Sequence, residues 1–351
     1  MDNLRGLLLS LLWISGCAIL PAYGQTKAHA FNPDQKRTLR SMFYNVENAF
    51  DTINDPLPGD DDFTPSSGRH WNGYKYRQKI KSIYKVIVSA GGWEPVGLIG
   101  LCEIENKKVL EDLVHQTPLS KYPYQIIHDD SPDYRGIDIA ALYLETKFQP
   151  IAHQYIPVPL DNNENTRDIL YLKGRVKQRD TLHVFFNHWP SKWQGAYQTR
   201  PKRIKAAQIL LHHIDSLFSV YDEPLILAAG DFNEGPRSTP ILKHLHIDYS
   251  VDNPVSKKLY NLSASWINLP FGTYKYRGIW EIIDQFIVSG SLLIGDRDLT
   301  TSTDNAHILH APFLLTEDEK FTGKKPFRTY SGYRYQGGFS DHLPVILDFH
   351  H

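Results

Sequence analysis

The chain has 351 residues, 41% of them apolar, enough for one large core or two ordinary ones. Its formal net charge of −1 excludes a global basic field, so any polyanion must be held by local clusters of lysine and arginine. Two cysteines, Cys17 and Cys102, exclude a disulfide framework and argue against cysteine–zinc or thiol chemistry.

Residues 1–24 read as an export signal. Arg5 supplies a positive start, Leu7 to Leu20 is largely apolar, and Pro21-Ala22-Tyr23-Gly24 offers small residues before cleavage at Gln25. The apolar run is short of the ~20 residues that span a bilayer. The expectation is a periplasmic or secreted protein. The alternative is a lipoprotein anchored at Cys17, in Ile14-Ser15-Gly16-Cys17. Removing the leader leaves Cys102 alone, so the mature chain forms no internal disulfide. Residues 25–37 are polar and read as a linker, and residues 38–351 as one domain.

Leu39 to Val46 alternates and predicts a first strand. Asp51 to Arg69, rich in Pro, Gly and Asp, predicts a loop. Ile80, Ile83, Tyr84, Ile87 and Val88 fall at helical spacing within Tyr76 to Ser89. Val96 to Leu101 is a buried strand that stops at Cys102-Glu103, and Asn106 to Gln116 a helix. Tyr124 to Ile127 and Ile137 to Leu144 are strands. Ile169 to Val176 and Thr181 to Phe186 form a hairpin around Lys177 to Asp180. Thr199 to Phe218 is a long amphipathic helix. Leu225 to Ala229, Ile282 to Val288 and Leu343 to Phe349 complete the strand set, and Glu317 to Gly338 is irregular. Strands and helices intermix and hairpins occur among the strands, so the sheets are mixed, layered, and covered by helices.

Polar residues recur where these strands end. Glu103 follows one strand, Asp231 and Asn233 another, and His188 a third, while Asn45 closes the first and Asp341-His342 precedes the last. Each has an ordinary reading: an acid at a helix start, an Asx-turn, a structural histidine. Asp284 is harder to dismiss, because an acid inside Ile282-Ile283-Asp284-Gln285-Phe286 needs a partner. His342 is a natural one, since a carboxylate fixes a histidine's tautomer and raises its basicity. Oxygen ligands plus histidine, with almost no cysteine, point to a hard metal and phosphate chemistry.

These elements together resemble the endonuclease/exonuclease/phosphatase superfamily, with its DNase I-like fold. The matching phrases are YNVEN (residues 44–48), LCEIEN (101–106), YRGIDIAALY (134–143), NHWPSK (187–192), GDFNEGP (230–236), IDQFIVS (283–289) and FSDHLPV (339–345). They keep the family order from about residue 38 to 349, and GTYKYRGIWEIIDQ (272–285) looks especially like exported bacterial members. The resemblance implies an α/β fold, a four-layer sandwich of two packed mixed β-sheets flanked by helices. It implies a hydrolase acting on phosphate esters.

By the same resemblance, Glu103 is the main metal ligand, with Asn45 and Asp341 helping to hold the ion or its waters. The ion is Mg²⁺, with Mn²⁺ or Ca²⁺ as alternatives. Asp231 orients or deprotonates the attacking water, and Asn233 holds phosphoryl oxygens. His342, held by Asp284, is a base or phosphate clamp, and the choice of base between Asp231 and His342 stays open. His188 donates to the phosphate or leaving group. Arg135, Asp138, Lys192 and Arg277 are assigned to the substrate phosphate, with Asp138 also a candidate partner for His188 and Tyr134 an alternative contact. Glu47 fills a place where apurinic endonucleases carry the shorter Asp.

The expected substrate is a phosphodiester, nucleic acid first. Lys192, Arg200, Lys202, Arg203 and Lys205 interleave with Trp189, Trp193 and Tyr197 beside His188, a pattern suited to a nucleic-acid backbone. Lys173, Arg175, Lys177 and Arg179 read as a solvated hairpin face. A phospholipid or inositol-phosphate esterase is the alternative, although no apolar aromatic hairpin for membrane contact is evident. A non-catalytic binder on the same scaffold is disfavoured because the full constellation is kept. A monomer without an obligate protein partner is expected.

Overall fold

A computed structural model of the chain describes residues 37–351 apart from 56–58, 162–163, 194, 249 and 296–298. The expected export signal, the lipid box at Cys17 and residues 25–36 of the expected linker lie outside the described residues. Arg37, placed in the linker by its sequence, is the first residue of a strand.

In chain order the strands begin with β1 (Arg37–Ala49), β2 (Leu98–Ile104), β3 (Tyr124–His128), β4 (Asp138–Leu144), β5 (Phe148–Ile156), β6 (Ile169–Val176), β7 (Asp180–His188) and β8 (Leu225–Asp231). There follow β9 (Ile247–Asp248), β10 (Leu259–Asn261), β11 (Tyr274–Tyr276), β12 (Ile279–Glu281), β13 (Asp284–Ser289), β14 (Ala306–Ile308), β15 (Leu315–Glu317), β16 (Lys324–Pro326), β17 (Tyr330–Ser331), β18 (Arg334–Tyr335) and β19 (Val345–His350). The main helices are α1 (Gly73–Gly91), α2 (Lys107–His115), α3 (Arg200–Val220) and α4 (Thr239–His244).

Among the described residues, a six-stranded sheet has the order β14-β19-β1-β2-β4-β3 and a seven-stranded sheet the order β5-β6-β7-β8-β13-β10-β9. Both are mixed. β1 runs parallel to β2 and antiparallel to β19, and β7 runs parallel to β8, which is antiparallel to β13. Their inner faces meet, with the rings of Phe43 on β1 and Phe186 on β7 6.1 Å apart. Gly100 on β2 permits this approach, because a Cβ there would sit 2.4 Å from the Phe186 ring. α1 and α2 pack on the outer face of the first sheet and α3 on that of the second, burying Ala206, Ala207, Leu210 and Ile214 at helical spacing. The result is the expected four-layer sandwich.

Capping fixes where the outer helices begin. The Asn72 side chain accepts hydrogen bonds from the backbone N–H groups of Tyr74 and Lys75, and Asn106 from that of Val109. The described residues of the expected loop at 51–69 form only a short 3-10 turn, Asp61–Phe63, and the expected hairpin β6–β7 is present. β5 is an addition. It is an edge strand whose middle faces solvent, so Gln149, His153 and Gln154 carry no alternating apolar signal. The segment 317–338 holds only the short ladders β15–β16 and β17–β18. No helix among the described residues is long and apolar enough to cross a membrane.

Candidate active site

Strand direction gathers the polar residues at one rim. The C-terminal ends of β1, β2, β7 and β8 and the N-terminal ends of β4 and β13 lie at the same edge of their sheets. In the second sheet His188, Asp231 and Asp284 form one cross-strand row, because Asp231 pairs with His188 on one side and with Asp284 on the other. Paired residues share a sheet face, so the register alone sets a histidine and two acids side by side. Gly230 lets the strands close here, since a Cβ would lie 2.2 Å from the Asn187 carbonyl oxygen.

In the first sheet Asn45 pairs with Cys102, and the register shifts at Glu103 between Cys102 and Ile104. Glu103 itself has φ +65°, Glu47 +55°, Asn48 +56° and Asn233 +51°. Asparagine enters the left-handed region readily, but it costs a glutamate about 1–2 kcal/mol, and two glutamates held there at one rim mark a site where the backbone is held for something other than stability.

The side chains interlock across the two sheets. The Asn45 amide donates to Glu103 Oε1 and to Asp231 Oδ2, both at 3.2 Å. The Asn48 backbone N–H donates to Glu103 Oε2 at 2.9 Å. His188 Nε2 lies 3.8 Å from both Glu103 Oε1 and Asp231 Oδ2. His342 Nε2 is also 3.8 Å from Asp231 Oδ2, while its Nδ1 lies 2.9 Å from Asp284 Oδ2. The expected Asp284–His342 pair is therefore present. Asn233 turns its backbone N–H onto Asp231 Oδ1 at 2.9 Å and its amide onto the Trp189 carbonyl at 3.0 Å. Asp231 is the hub, met by Asn45, Asn233, His188 and His342.

Burial and charge tune these groups in opposite directions. Burial pushes the Asp231 carboxyl up to about 7, with Asp284 adding to the rise and His342 opposing it. Burial also works against the charged form of His342, but the Asp284 and Asp231 carboxylates outweigh it and hold the imidazole well above its ordinary value. Burial, then Arg167 and Arg135, push His188 well below. One histidine is thus held protonated and the other neutral.

Asp341 stands beside this group in a second cluster. Its Oδ2 accepts from Arg328 at 2.9 Å, and Arg328 also donates to Glu47 Oε1 at 3.0 Å. Burial raises Asp341, but Arg328, His342 and Lys79 outweigh it and hold the carboxyl below its usual range. Lys79 is buried beneath, donating to Thr329 Oγ1 at 2.5 Å and to the Phe339 carbonyl at 2.8 Å, and burial brings its ammonium down to about 8. The sequence reading missed Lys79 and Arg328. One hides among ordinary helix charges and the other lies in the aperiodic 317–338 segment. Asn48 was also missed, because its contribution is a backbone N–H.

Of the four residues expected at the phosphate, Asp138, Arg277 and Lys192 are engaged elsewhere, while Arg135 stays close enough for its charge to act on His188. Asp138 accepts from the Ser131 N–H at 2.8 Å and faces His128 Nε2 at 3.2 Å, which leaves its charge spent on neither a phosphate nor His188. The His188 Nδ1 has no hydrogen-bond partner. Arg277 occupies the exposed turn between β11 and β12, where Arg277 and Gly278 both take positive φ, and its guanidinium lies over the Tyr276 ring. Lys192 is ion-paired with Glu281. Arg135 contacts Asp133 at 3.4 Å and lines a cleft of about 750 Å³ together with Arg167, Pro190 and Trp193.

The expected basic groove is also partly consumed. Lys202 pairs with Glu164, and buried Arg203 binds Glu234 at 2.6 Å and the Ala196 carbonyl at 2.7 Å. The hairpin cluster around Lys177 sits at the start of β7, eight residues and roughly 26 Å from His188 at about 3.3 Å per residue.

Asp231, Asp284 and His342 each bring a potential metal-binding atom within 4.8 Å of the others. Of the three residues expected to hold the metal, Asn45 turns its amide N–H to Glu103 while its Oδ1 accepts the Glu47 N–H at 3.0 Å, and Asp341 is paired with Arg328; the carboxylates of Glu103 and Asp341 are the donor type suited to hard divalent cations.

Comparisons place this architecture. The chain is similar in fold to a truncated Caenorhabditis elegans TDP2, at 15% identity and TM-score 0.52, covering 89% of this chain and 97% of that one. It is similar to D. rerio TDP2 solved with a single-strand DNA product, at 12% identity and TM-score 0.54, covering 89% and 99%. A Bacteroides thetaiotaomicron mannosyl-6-phosphatase matches at 15% identity and TM-score 0.54, also covering 89% and 99%. No curated protein matches the chain significantly. The model of the endonuclease/exonuclease/phosphatase family matches residues 41–351, nearly all of the described chain, and the chain belongs to that family.

Proposed function

We propose that the chain is a metal-dependent phosphoester hydrolase, exported, acting first on phosphodiesters of the nucleic-acid type. The observation that carries this reading is the convergence of His188, His342 and Asn45 on Asp231, with Glu103 sharing the Asn45 amide and the His188 ring with it. The oxygen donors of Glu103, Asn45 and Asp341 would hold Mg²⁺, with Mn²⁺ or Ca²⁺ as substitutes. Bound there, the ion would supply charge neutralisation at the phosphate and the leaving oxygen.

The chain's own groups do the remaining work. Asp231 orients the attacking water, and its fixed hydrogen bonds from Asn45 and Asn233 keep the carboxylate from rotating. His342 presents Nε2 toward the phosphate while Asp284 holds Nδ1. His188 offers its ring N–H to the phosphate or the leaving oxygen. Asn233 stands ready as an amide donor once the Trp189 carbonyl is exchanged for a phosphoryl oxygen.

A second reading is a hydrolase of small phosphate esters, inositol or sugar phosphates among them. The internal pairing of Lys192, Lys202 and Arg203 favours it, since fewer cations remain to follow a polymer backbone. A panel of plasmid DNA, RNA, inositol phosphate and sugar phosphate, each with chelator and Mg²⁺ add-back, separates the two. Metal-restored cleavage of a nucleic acid, lost in Asp231→Ala and His188→Ala, supports the first. Phosphate release from the small esters alone supports the second. Inertness throughout refutes both.

A further inference from the structure

A second acidic cluster lies outside the catalytic rim. Asp55 and Asp60, from the irregular segment after β1, meet Glu105, the residue just past β2, with one carboxylate oxygen of each within 4.8 Å of the others. Asp60 is 1% exposed and Glu105 5%. The Asp60 Oδ1 is enclosed and takes no hydrogen bond, while its Oδ2 accepts only the Asp55 N–H, at 3.0 Å. Glu105 Oε2 accepts from the Asp51 N–H at 2.6 Å and from the Asn106 amide at 3.1 Å, and that amide also reaches Asp51 Oδ2 at 3.3 Å. The charges acting on Asp55 are those of Asp60, Asp51 and Asp130, all negative. Buried carboxylates without a counter-charge are costly, and an enclosed carboxylate oxygen with no donor calls for a partner that the chain's own groups do not supply here.

We infer that Asp55, Asp60 and Glu105 form a binding site for a hard divalent cation of the Ca²⁺ type, distinct from the Glu103 centre. All donors are oxygens, the ligand type that Ca²⁺ takes. The site sits where the end of β1 is stitched to the end of β2. The Glu105 N–H donates to the Ala49 carbonyl at 3.2 Å, and Asn48 donates to Glu103 two residues before Glu105. Gly59, beside Asp60, donates to the Tyr134 carbonyl at 2.6 Å. A cation here ties Asp55 and Asp60 to the strand end that carries Glu103.

The test uses the full chain, stripped with a chelator and titrated with Ca²⁺, in a Glu103→Gln background that silences the other centre. Calorimetry is expected to give one bound Ca²⁺ per chain and a thermal midpoint raised by several degrees. Adding Asp60→Asn is expected to weaken that binding by about tenfold or more. In chelator, Asp60→Asn is expected to be at least as stable as its parent, because one of three crowded acids loses its charge. If Asp60→Asn fails to fold, Asp55→Asn serves in its place with the same expected loss of affinity. No Ca²⁺ bound by Glu103→Gln, or equal binding with and without the second substitution, overturns the inference.

Discussion

Asp284→Asn isolates one contact in the candidate site. Asp284 is 1% exposed, its Oδ2 lies 2.9 Å from His342 Nδ1, and its Oδ1 has no partner. Asparagine keeps the shape and removes the charge. A charge-assisted hydrogen bond contributes about 1.5–3 kcal/mol, and each 1.36 kcal/mol is tenfold in rate, so kcat should fall about 10- to 100-fold. Folding should suffer little, since a buried carboxylate that is only half satisfied is itself a burden. Asp284 acts through His342, so KM for a chromogenic phosphodiester should move far less than kcat, and the pH–rate profile should shift. Calorimetry on the same sample checks the fold. A kcat within twofold of wild type with an unchanged pH profile would refute the claim that Asp284 sets the state of His342.

Other consequences can be measured separately. Lys79→Met leaves Thr329 Oγ1 and the Phe339 carbonyl without their buried donor, so denaturant unfolding should report a loss of about 1–3 kcal/mol, more than an exposed lysine gives. Arg277→Ala, on the exposed hairpin turn, should leave kcat/KM within about twofold, the scale of a neutral surface change; a tenfold loss would return Arg277 to the substrate. His183, under the Tyr171 hydroxyl at 2.7 Å, is lowered to about 4 from an ordinary value of 6.5, chiefly by burial and then by Lys173. Below 6.5 the unfolded chain takes up a proton that the folded chain refuses until about 4, so this contribution to stability is present above 6.5 and is lost as pH falls through that window. His183→Gln should flatten that part of the thermal midpoint's pH dependence.

Much of the rim was legible because strand ends announce themselves. An apolar run that stops at Asp231 or Glu103 shows where a buried strand meets water, and Asp284 inside an apolar run required a partner that proved to be His342. Neighbourhood was harder to read. Asp138 follows Arg135 within a matching phrase, yet the antiparallel pairing of β3 with β4 brings His128, ten residues earlier, to it. Lys192, Lys202 and Arg203 look like a groove in sequence, but Glu281, Glu164 and Glu234 arrive from distant segments to neutralise them. Arg328 and Lys79 carried no periodic or motif signal, since Arg328 meets Glu47 and Asp341, and Lys79 meets Thr329 and the Phe339 carbonyl, only across the fold. β5 escaped because an edge strand with a wet face does not alternate.

The central claim is that Glu103 and its neighbours support metal-assisted attack on a phosphate ester. Its most direct test is hydrolysis of the substrate panel by chelator-stripped protein, wild type beside Glu103→Gln, as Mg²⁺ is returned. The account predicts that Mg²⁺ restores wild-type turnover while Glu103→Gln stays at least about 100-fold slower, the scale on which removing a centrally placed electrostatic group acts. Turnover that survives the chelator, or a Glu103→Gln protein that recovers equally with Mg²⁺, would contradict it.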